Sequence, residues 1–307
     1  MIVVAGESLV DLLVRRDGGV TATPGGGPFN VARALGRLGR PVAFMGRIST
    51  DAFGHILRDR LVADGVDLAL APSTDDPTLL AVAEIADDGS ATYRFHAIGS
   101  AAAGLTLSDL PDGLPGTTTA FHVGTLGLVL EPTAATVAAL VSSASPDVLV
   151  MVDPNCRPAA IGDPAGYRAR LARVFERADV VKVSADDLAW LAPGRDPIDA
   201  ARDLLERGPR VVLVTDGGQA VRLVSRRGVA AVAVPAVEVV DTVGAGDAFG
   251  AGFLAAWTRD GRSRAELDDG DAVLDATGFA VEVGSRTAGR AGAEPPTLAE
   301  LRAPRTG

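Results

Sequence analysis

The chain is expected to fold as an α/β protein with a mostly parallel, doubly wound sheet and a small β-sheet lid. Three features carry this expectation. The 307 residues are 47% hydrophobic but only 4% aromatic, so the core must be built from Val, Leu, Ile and Ala. Such residues suit parallel strands covered on both faces by helices. From about residue 119 onward, strand-like and helix-like stretches alternate, the pattern of a doubly wound sheet. Residues 78–98 break that alternation with two strand-like runs around Asp87-Asp88-Gly89-Ser90, a hairpin signal.

In chain order, a first strand is read at 2–5, a polar turn at Gly6-Glu7-Ser8 and an extended run at 9–14. Residues 23–28 (TPGGGP) read as a loop. A helix follows, with Val31, Ala32, Ala34, Leu35 and Leu38 on one face and Gly39 as its stop. Further strands are expected at 41–46, 121–123, 148–152, 180–183 and 211–215. Helices are expected at 51–64, 132–142, 167–177, 185–191, 199–206, 247–257 and 271–283. A second hairpin is read at 220–234, and a Gly-, Arg- and Pro-rich tail after Ser285 with a short helix at 298–302. The whole of 1–307 reads as a single domain, with lid segments at approximately 10–22 and 78–98.

Charge and composition exclude several classes. A net charge of −10 argues against non-specific nucleic-acid binding, which relies on Lys and Arg. Lys182 is the only lysine, so a Walker-type phosphate lysine is nearly excluded. One cysteine, Cys156, permits no intrachain disulfide and fits a cytoplasmic protein. The opening stretch MIVVAGESLVDLLV reads as a strand and not as a signal peptide. No apolar run is long enough for a membrane span. Three His and one Cys give no metal-ligand spacing. His122, at a strand end, reads as a hydrogen-bonded buried histidine.

The strongest local signal is Asp241-Thr242-Val243-Gly244-Ala245-Gly246-Asp247, between a strand-like run and a helix of small residues. Small residues at a helix start leave N–H groups open to an anion. Asp247 at the rim reads either as a general base for a hydroxyl attacking phosphorus or as a simple N-cap. The second signal is Gly25-Gly26-Gly27-Pro28-Phe29-Asn30. Glycines allow close ligand approach, and Asn30 offers both donor and acceptor. Asp11 can accept hydrogen bonds from a polyol. The plainer reading of this second stretch is a loop with Asn near a helix start. Neither stretch matches GxxxxGK[ST], and no GxGxxG follows the first strand.

The segments GGGPFNVARALGRLG (25–39) and DTVGAGDAFGAGF (241–253) resemble the two signature motifs of the PfkB, or ribokinase-like, carbohydrate kinases. Order and separation match, and the resemblance covers essentially the whole chain. Residues 46–54 resemble a weaker family stretch in which Ser49 replaces a usual Gly. The resemblance implies a ribokinase-like fold and an ATP-dependent sugar kinase. It implies Asp247 as catalytic base, with Gly244, Ala245, Gly246 and the Asp247 backbone as anion hole. Asp11, Gly26, Gly27 and Asn30 would bind the sugar. Thr215, Gly217 and Gly218 resemble a T-x-G segment of the nucleotide site, although Ala220 stands where another Gly is usual. Ser184 to Asp187 resembles an N/S-x-x-E element that positions Mg²⁺ through water, with Asp187 one methylene shorter than the usual Glu.

Mg²⁺ is also expected on chemical grounds, since it bridges β- and γ-phosphates. With one lysine in the chain, further neutralisation is expected from backbone N–H groups and Arg157, whose plainer fate is a surface ion pair. Carbonyls near Asp241 and Thr242 are implied as a K⁺ site, and the lid as a homodimer interface. Gly6-Glu7-Ser8-Leu9-Val10-Asp11 resembles the start of bacterial fructokinases and 2-keto-3-deoxygluconate kinases. The latter usually carry an Arg three residues before a Ser-Ala pair. Here Ala97 precedes Ser100-Ala101 at that spacing, and Arg94 is the nearest Arg. A sugar carboxylate wants a bidentate partner. Fructose or a related ketose is therefore preferred over a sugar acid. A non-catalytic nucleotide- or sugar-binding protein is the alternative from another class.

Overall fold

A computed structural model describes residues 1–15, 17–85, 91–110 and 113–303. The turn expected at 87–90 lies outside the described residues. β1 (Ile2–Ala5) leads to β2 (Leu9–Val14) and β3 (Val20–Gly25), then to α1 (Gly27–Arg37). β4 (Val42–Met45), β5 (Ile48–Ser49), α2 (Ala52–Ala63) and β6 (Ser73–Thr74) precede the lid strands β7 (Leu79–Ile85) and β8 (Ala91–His96). Then come β9 (Ala120–Gly124), α3 (Thr133–Ser143), β10 (Leu149–Asp153), α4 (Pro164–Arg177) and β11 (Val180–Ser184). α5 (Ala185–Leu191), α6 (Pro197–Leu205), β12 (Val211–Thr215), β13 (Val221–Ser225) and β14 (Gly228–Val232) follow. The chain closes with α7 (Ala245–Arg259), α8 (Gly270–Ala288) and α9 (Leu298–Arg302).

The expected loop at 23–28 is corrected. β3 runs on to Gly25, pairing Asp11 with Thr23 across β2, and Pro28 sits in the first turn of α1. Proline is preorganised for that position, so its presence marks a helix start as readily as a loop. The tail is also more regular than expected, because α8 continues to Ala288.

The eight-stranded sheet has the order β14-β13-β12-β11-β10-β9-β1-β4. Strands β4 to β12 in that order pair in parallel, and the β13–β14 hairpin is added antiparallel at one edge. After β1 the chain steps outward to β4, and from β9 it steps the other way. That reversal is a switch point, where ligands meet the carboxyl ends of strands. A separate sheet, β3-β2-β7-β8, forms the lid.

Alternation along the strands divides the core between two faces. Ile2, Val4, Ala120, Leu149, Met151 and Val180 pack with α1, α7 and α8. Val3, Ala5, Phe121, Val150, Val152 and Val181 pack on the opposite face with α3 and α4. The period of two puts His122, Asp153 and Lys182 on the first face, at its carboxyl end. This apolar layer therefore ends in three buried polar side chains beneath the start of α7.

Asp51 shows what the 46–54 stretch builds. Its carboxylate caps α2 through the Gly54 N–H and accepts from the Thr78 N–H and hydroxyl at 2.8 and 2.7 Å. It thereby ties the start of the lid strand β7 to the main body. Among the described residues, no helix is long and apolar enough to cross a membrane.

Candidate active site

A cavity of about 880 Å³ opens at the carboxyl ends of β1, β9, β10, β11 and β12, beneath the lid. Of the residues singled out from sequence, Asp11, Gly26, Gly27, Asn30, Arg157, Thr215, Gly244, Gly246 and Asp247 line it. Ala245, Asp187, Gly217 and Gly218 do not. The structure thus gathers both glycine-rich segments, more than 200 residues apart in sequence, around one space.

The turn before α7 explains its glycines. Gly244 is the N-cap with φ +74°, and a Cβ there would come within 2.4 Å of Ala293 Cβ. The left-handed backbone and the close packing both demand glycine. Asp241 braces the turn, accepting from the Val243 N–H at 3.0 Å and from the Gly292 N–H at 2.9 Å. Gly244 supplies no side-chain cap. The N–H groups of Gly244, Gly246 and Asp247 carry no hydrogen bond among the described residues, so they are free to receive an anion. The Ala245 N–H instead donates to Thr242 O at 3.2 Å. Ala245 thus differs from the other three residues of the expected set, whose N–H groups carry no such bond among the described residues.

Asp247 is not the N-cap but the third residue of α7, and it is 8% exposed. Its Oδ2 accepts from Asn30 Nδ2 at 2.9 Å. Burial pushes its pKa up, opposed by the Asn30 hydrogen bond and by the charges of Lys182 and Arg157. Asn30 Oδ1 is buried with no partner among the described residues, an acceptor left over for a ligand hydroxyl. Asp11 faces the same cavity, and burial pushes its carboxyl up to about 6. Arg157, exposed, donates to the carbonyls of Asn155 and Cys156 and is not in a carboxylate ion pair among the described residues.

Two groups were missed from sequence. Glu7, fully buried, accepts from the Gly27 N–H at 3.0 Å and the Gly127 N–H at 2.9 Å. It pins the start of α1 to the loop after β9. Burial drives its carboxyl up to about 8 against the pull of those donors. Lys182 also lines the cavity. Its Nζ donates to Asp153 Oδ2 at 2.9 Å, with both side chains 5% exposed. The expectation that neutralisation comes from Arg and backbone N–H groups omitted this ammonium. A signal existed: the only lysine lies two residues beyond Val180 on the strand face that meets α7.

His122 is buried as expected, but its Nδ1 has no hydrogen-bond partner among the described residues. Burial, then the nearby Lys182 charge, lowers its pKa to about 3, so it is a neutral packing group. Asp187 is not a surface acid. It is the third residue of α5 in a capping box with Ser184, accepting from the Ser184 N–H and hydroxyl and from the Cys156 N–H at 2.6 Å. Cys156 is buried and its thiol is pushed up to about 12, which makes it inert.

Among the described residues, no cluster of three His, Cys, Asp or Glu side chains could hold a metal. Asp186, beside Asp187 in the first turn of α5, is an exposed acid that lines the cavity.

Comparison with known proteins agrees with this geometry. The pfkB family of carbohydrate kinases matches residues 1–299. A fructokinase of Rhizobium leguminosarum bv. trifolii is 36% identical over 277 residues, 88% of this chain and 84% of its own length. The crystal structure of a fructokinase with bound ATP from Xylella fastidiosa superposes with a TM-score of 0.89 at 27% identity, over 98% of this chain and 96% of that one. An aminoimidazole riboside kinase from Salmonella enterica, complexed with aminoimidazole riboside and an ATP analogue, gives 0.82 at 28% identity, over 98% and 96%. The fold is ribokinase-like, and the chain belongs to the pfkB family of carbohydrate kinases.

Proposed function

We propose that this kinase transfers the γ-phosphoryl group of ATP to a hydroxyl of fructose or a closely related ketose, with Asp247 as general base. The observation that carries the reading is the pairing, on one helix turn, of a buried carboxylate with free N–H donors at Gly244, Gly246 and its own backbone. The sugar oxygen forms a bond to phosphorus while the bond to the β–γ bridging oxygen breaks. The hydroxyl proton passes to Asp247, and ADP leaves with the bonding electron pair. The N–H groups meet charge on the non-bridging oxygens, and Asn30 orients the base. Asp11, Gly26, Gly27 and Asn30 form the sugar side, with Arg157 near the transferring group. Thr215, Gly217 and Gly218 form the nucleotide rim. Mg²⁺, when bound, would offset charge on the β- and γ-phosphates. Asp187 contributes by fixing Ser184 and the Cys156 loop.

Names of similar proteins support the substrate class. A second fructokinase, from Klebsiella pneumoniae, is 35% identical over 82% of this chain. The lid supports a neutral sugar. Tyr93 and Phe95 line the cavity, while Arg94 between them pairs with Glu84 and is 67% exposed. Among the described lid residues an acid sugar would find no guanidinium lining the cavity; the cavity's Arg157 comes from the loop after β10. We extend the reading to one α/β unit that forms a cytoplasmic homodimer through the lid. Val20 and Tyr93 on the lid strands remain 59% and 49% exposed. A K⁺ near Asp241 is in keeping with a Vibrio cholerae fructokinase variant crystallised with fructose, ADP and potassium.

Sugar-dependent ADP release from the wild type and from Asp247→Asn tests the reading. The variant is expected to lose a factor of about 10²–10⁴ in kcat, as for a removed general base. Equal rates, or no sugar-dependent release from the wild type, would sink it. A binding protein without turnover would give the second result.

A further inference from the structure

Beneath the turn that starts α7 lies a charge that the reaction as derived does not use. The Lys182 ammonium has three donors. Asp153 Oδ2 takes one, and the other two have no hydrogen-bond partner among the described residues. The group is buried, yet Lys182 borders the cavity. A Cβ built on Gly246 would lie 2.9 Å from Nζ, so the ammonium sits against the same turn whose N–H groups are free. Leaving buried charged donors unmet is costly, which points to a ligand as their partner.

Chemistry at this corner favours an anion with oxygen acceptors. Asp153 stands behind the ammonium, and among the described residues its second oxygen is unpartnered and Lys182 is anchored from one side only. Burial works against the ammonium charge, but Asp153, Asp187 and Asp247 outweigh it and hold the group protonated. The space between Asp153 and Gly246 admits a compact point charge. A planar guanidinium is larger and projects its donors in a fixed fork. A chain that otherwise uses arginine for its positive side chains keeps its lone lysine at this point.

We propose that the Lys182 ammonium is a catalytic group that donates to a non-bridging oxygen of the γ-phosphoryl group as it passes from ATP to the sugar. The inference rests on the kinase reading above and adds a cation to its machinery. The competing account is structural: Lys182 serves only to neutralise Asp153.

The two accounts separate in a paired substitution. Lys182→Met leaves Asp153 alone and buried, which destabilises in either case. Lys182→Met combined with Asp153→Asn removes both charges and is expected to restore the melting temperature. If Lys182 is catalytic, kcat of the double variant stays about 100- to 1,000-fold below wild type, the loss typical for one preorganised donor. Recovery of kcat to near wild type overturns the proposal.

The sole lysine also permits a direct observation on the full wild-type chain. Labelling with [¹⁵Nζ]lysine gives one side-chain ammonium signal. The β,γ-imido analogue of ATP with fructose and Mg²⁺ should shift it more than ADP with fructose and Mg²⁺. A signal that responds equally to both overturns the proposal even if the variants do not fold. Wild type that releases no ADP with any sugar fails the kinase reading instead. A dead Asp247→Asn beside a fully active Lys182→Met fails the lysine alone.

Discussion

The floor and the rim of the cavity are built on different terms. On the floor, Asn30, Lys182 and Asp247 are 6%, 4% and 8% exposed, and each is held by a partner from another element. Asn30 and Asp247 meet across 217 residues of sequence. At the rim, two and three residues beyond the cavity-lining Thr215, Gly217 and Gly218 are exposed and stand outside the cavity lining, and a Cβ added to either would meet nothing within 4 Å. The floor is therefore preorganised by the fold as a whole, and the rim is a local turn. Phosphoryl transfer depends on fixed geometry, whereas gripping the outer part of a nucleotide tolerates a more open surface.

The sharpest way to break this contrast is to disturb the floor by one carbon. Gly246→Ala inserts a Cβ 2.9 Å from Lys182 Nζ, closer than such atoms normally sit. The ammonium is pinned by Asp153, so either Lys182 or the turn must shift. A misplacement of about 1 Å at reacting groups costs about 100-fold in rate, so a shift of a few tenths of an ångström here should cost up to about that much. Steady-state assays should show the loss in kcat, and a kcat near wild type would mean that the floor is more compliant than its packing implies.

Asp187 lies between the two regions and yields an intermediate effect. Its carboxylate receives the Ser184 N–H and hydroxyl and the Cys156 N–H. Asp187→Ala leaves those donors unmet and should cost about 1–3 kcal/mol of stability, read from the denaturant midpoint. The Mg²⁺ concentration for half-maximal rate should stay put. A marked rise in it, with stability unchanged, would support the expected part of Asp187 in positioning the metal.

How far this division was legible in the sequence differs by region. Strand and helix positions followed from periodicity, and the ends of α5, β12 and α9 match the expected residues. Local signals also marked the glycines of the turn before α7, because a small-residue helix start is a feature of adjacent residues. The 23–28 stretch failed because Pro and Gly suit both a loop and a strand-to-helix joint. Asp187 was legible as a helix-start acid but not as a buried one, since the Cys156 N–H comes from a neighbouring strand end. Lys182 and Glu7 were missed for the same reason. Burial of a charge depends on which strands become neighbours, and the pairing of Val152 with Val181 that brings Asp153 beside Lys182 is a product of sheet order.

The smallest effect belongs to the rim, and it sharpens the comparison most cleanly. Gly218 has open space around it and no left-handed φ, in contrast to Gly217 at φ +51°. Gly218→Ala should therefore leave stability within about 0.5 kcal/mol of wild type, the usual range for an exposed site. If the nucleotide approaches this backbone closely, the added methyl raises the KM for ATP by a few-fold and leaves kcat alone, the signature of lost uniform binding. Titration of ATP at saturating fructose separates the two constants. A fall in kcat from a methyl group on this exposed turn would show that the rim takes part in the chemistry, and the division between floor and rim would fail.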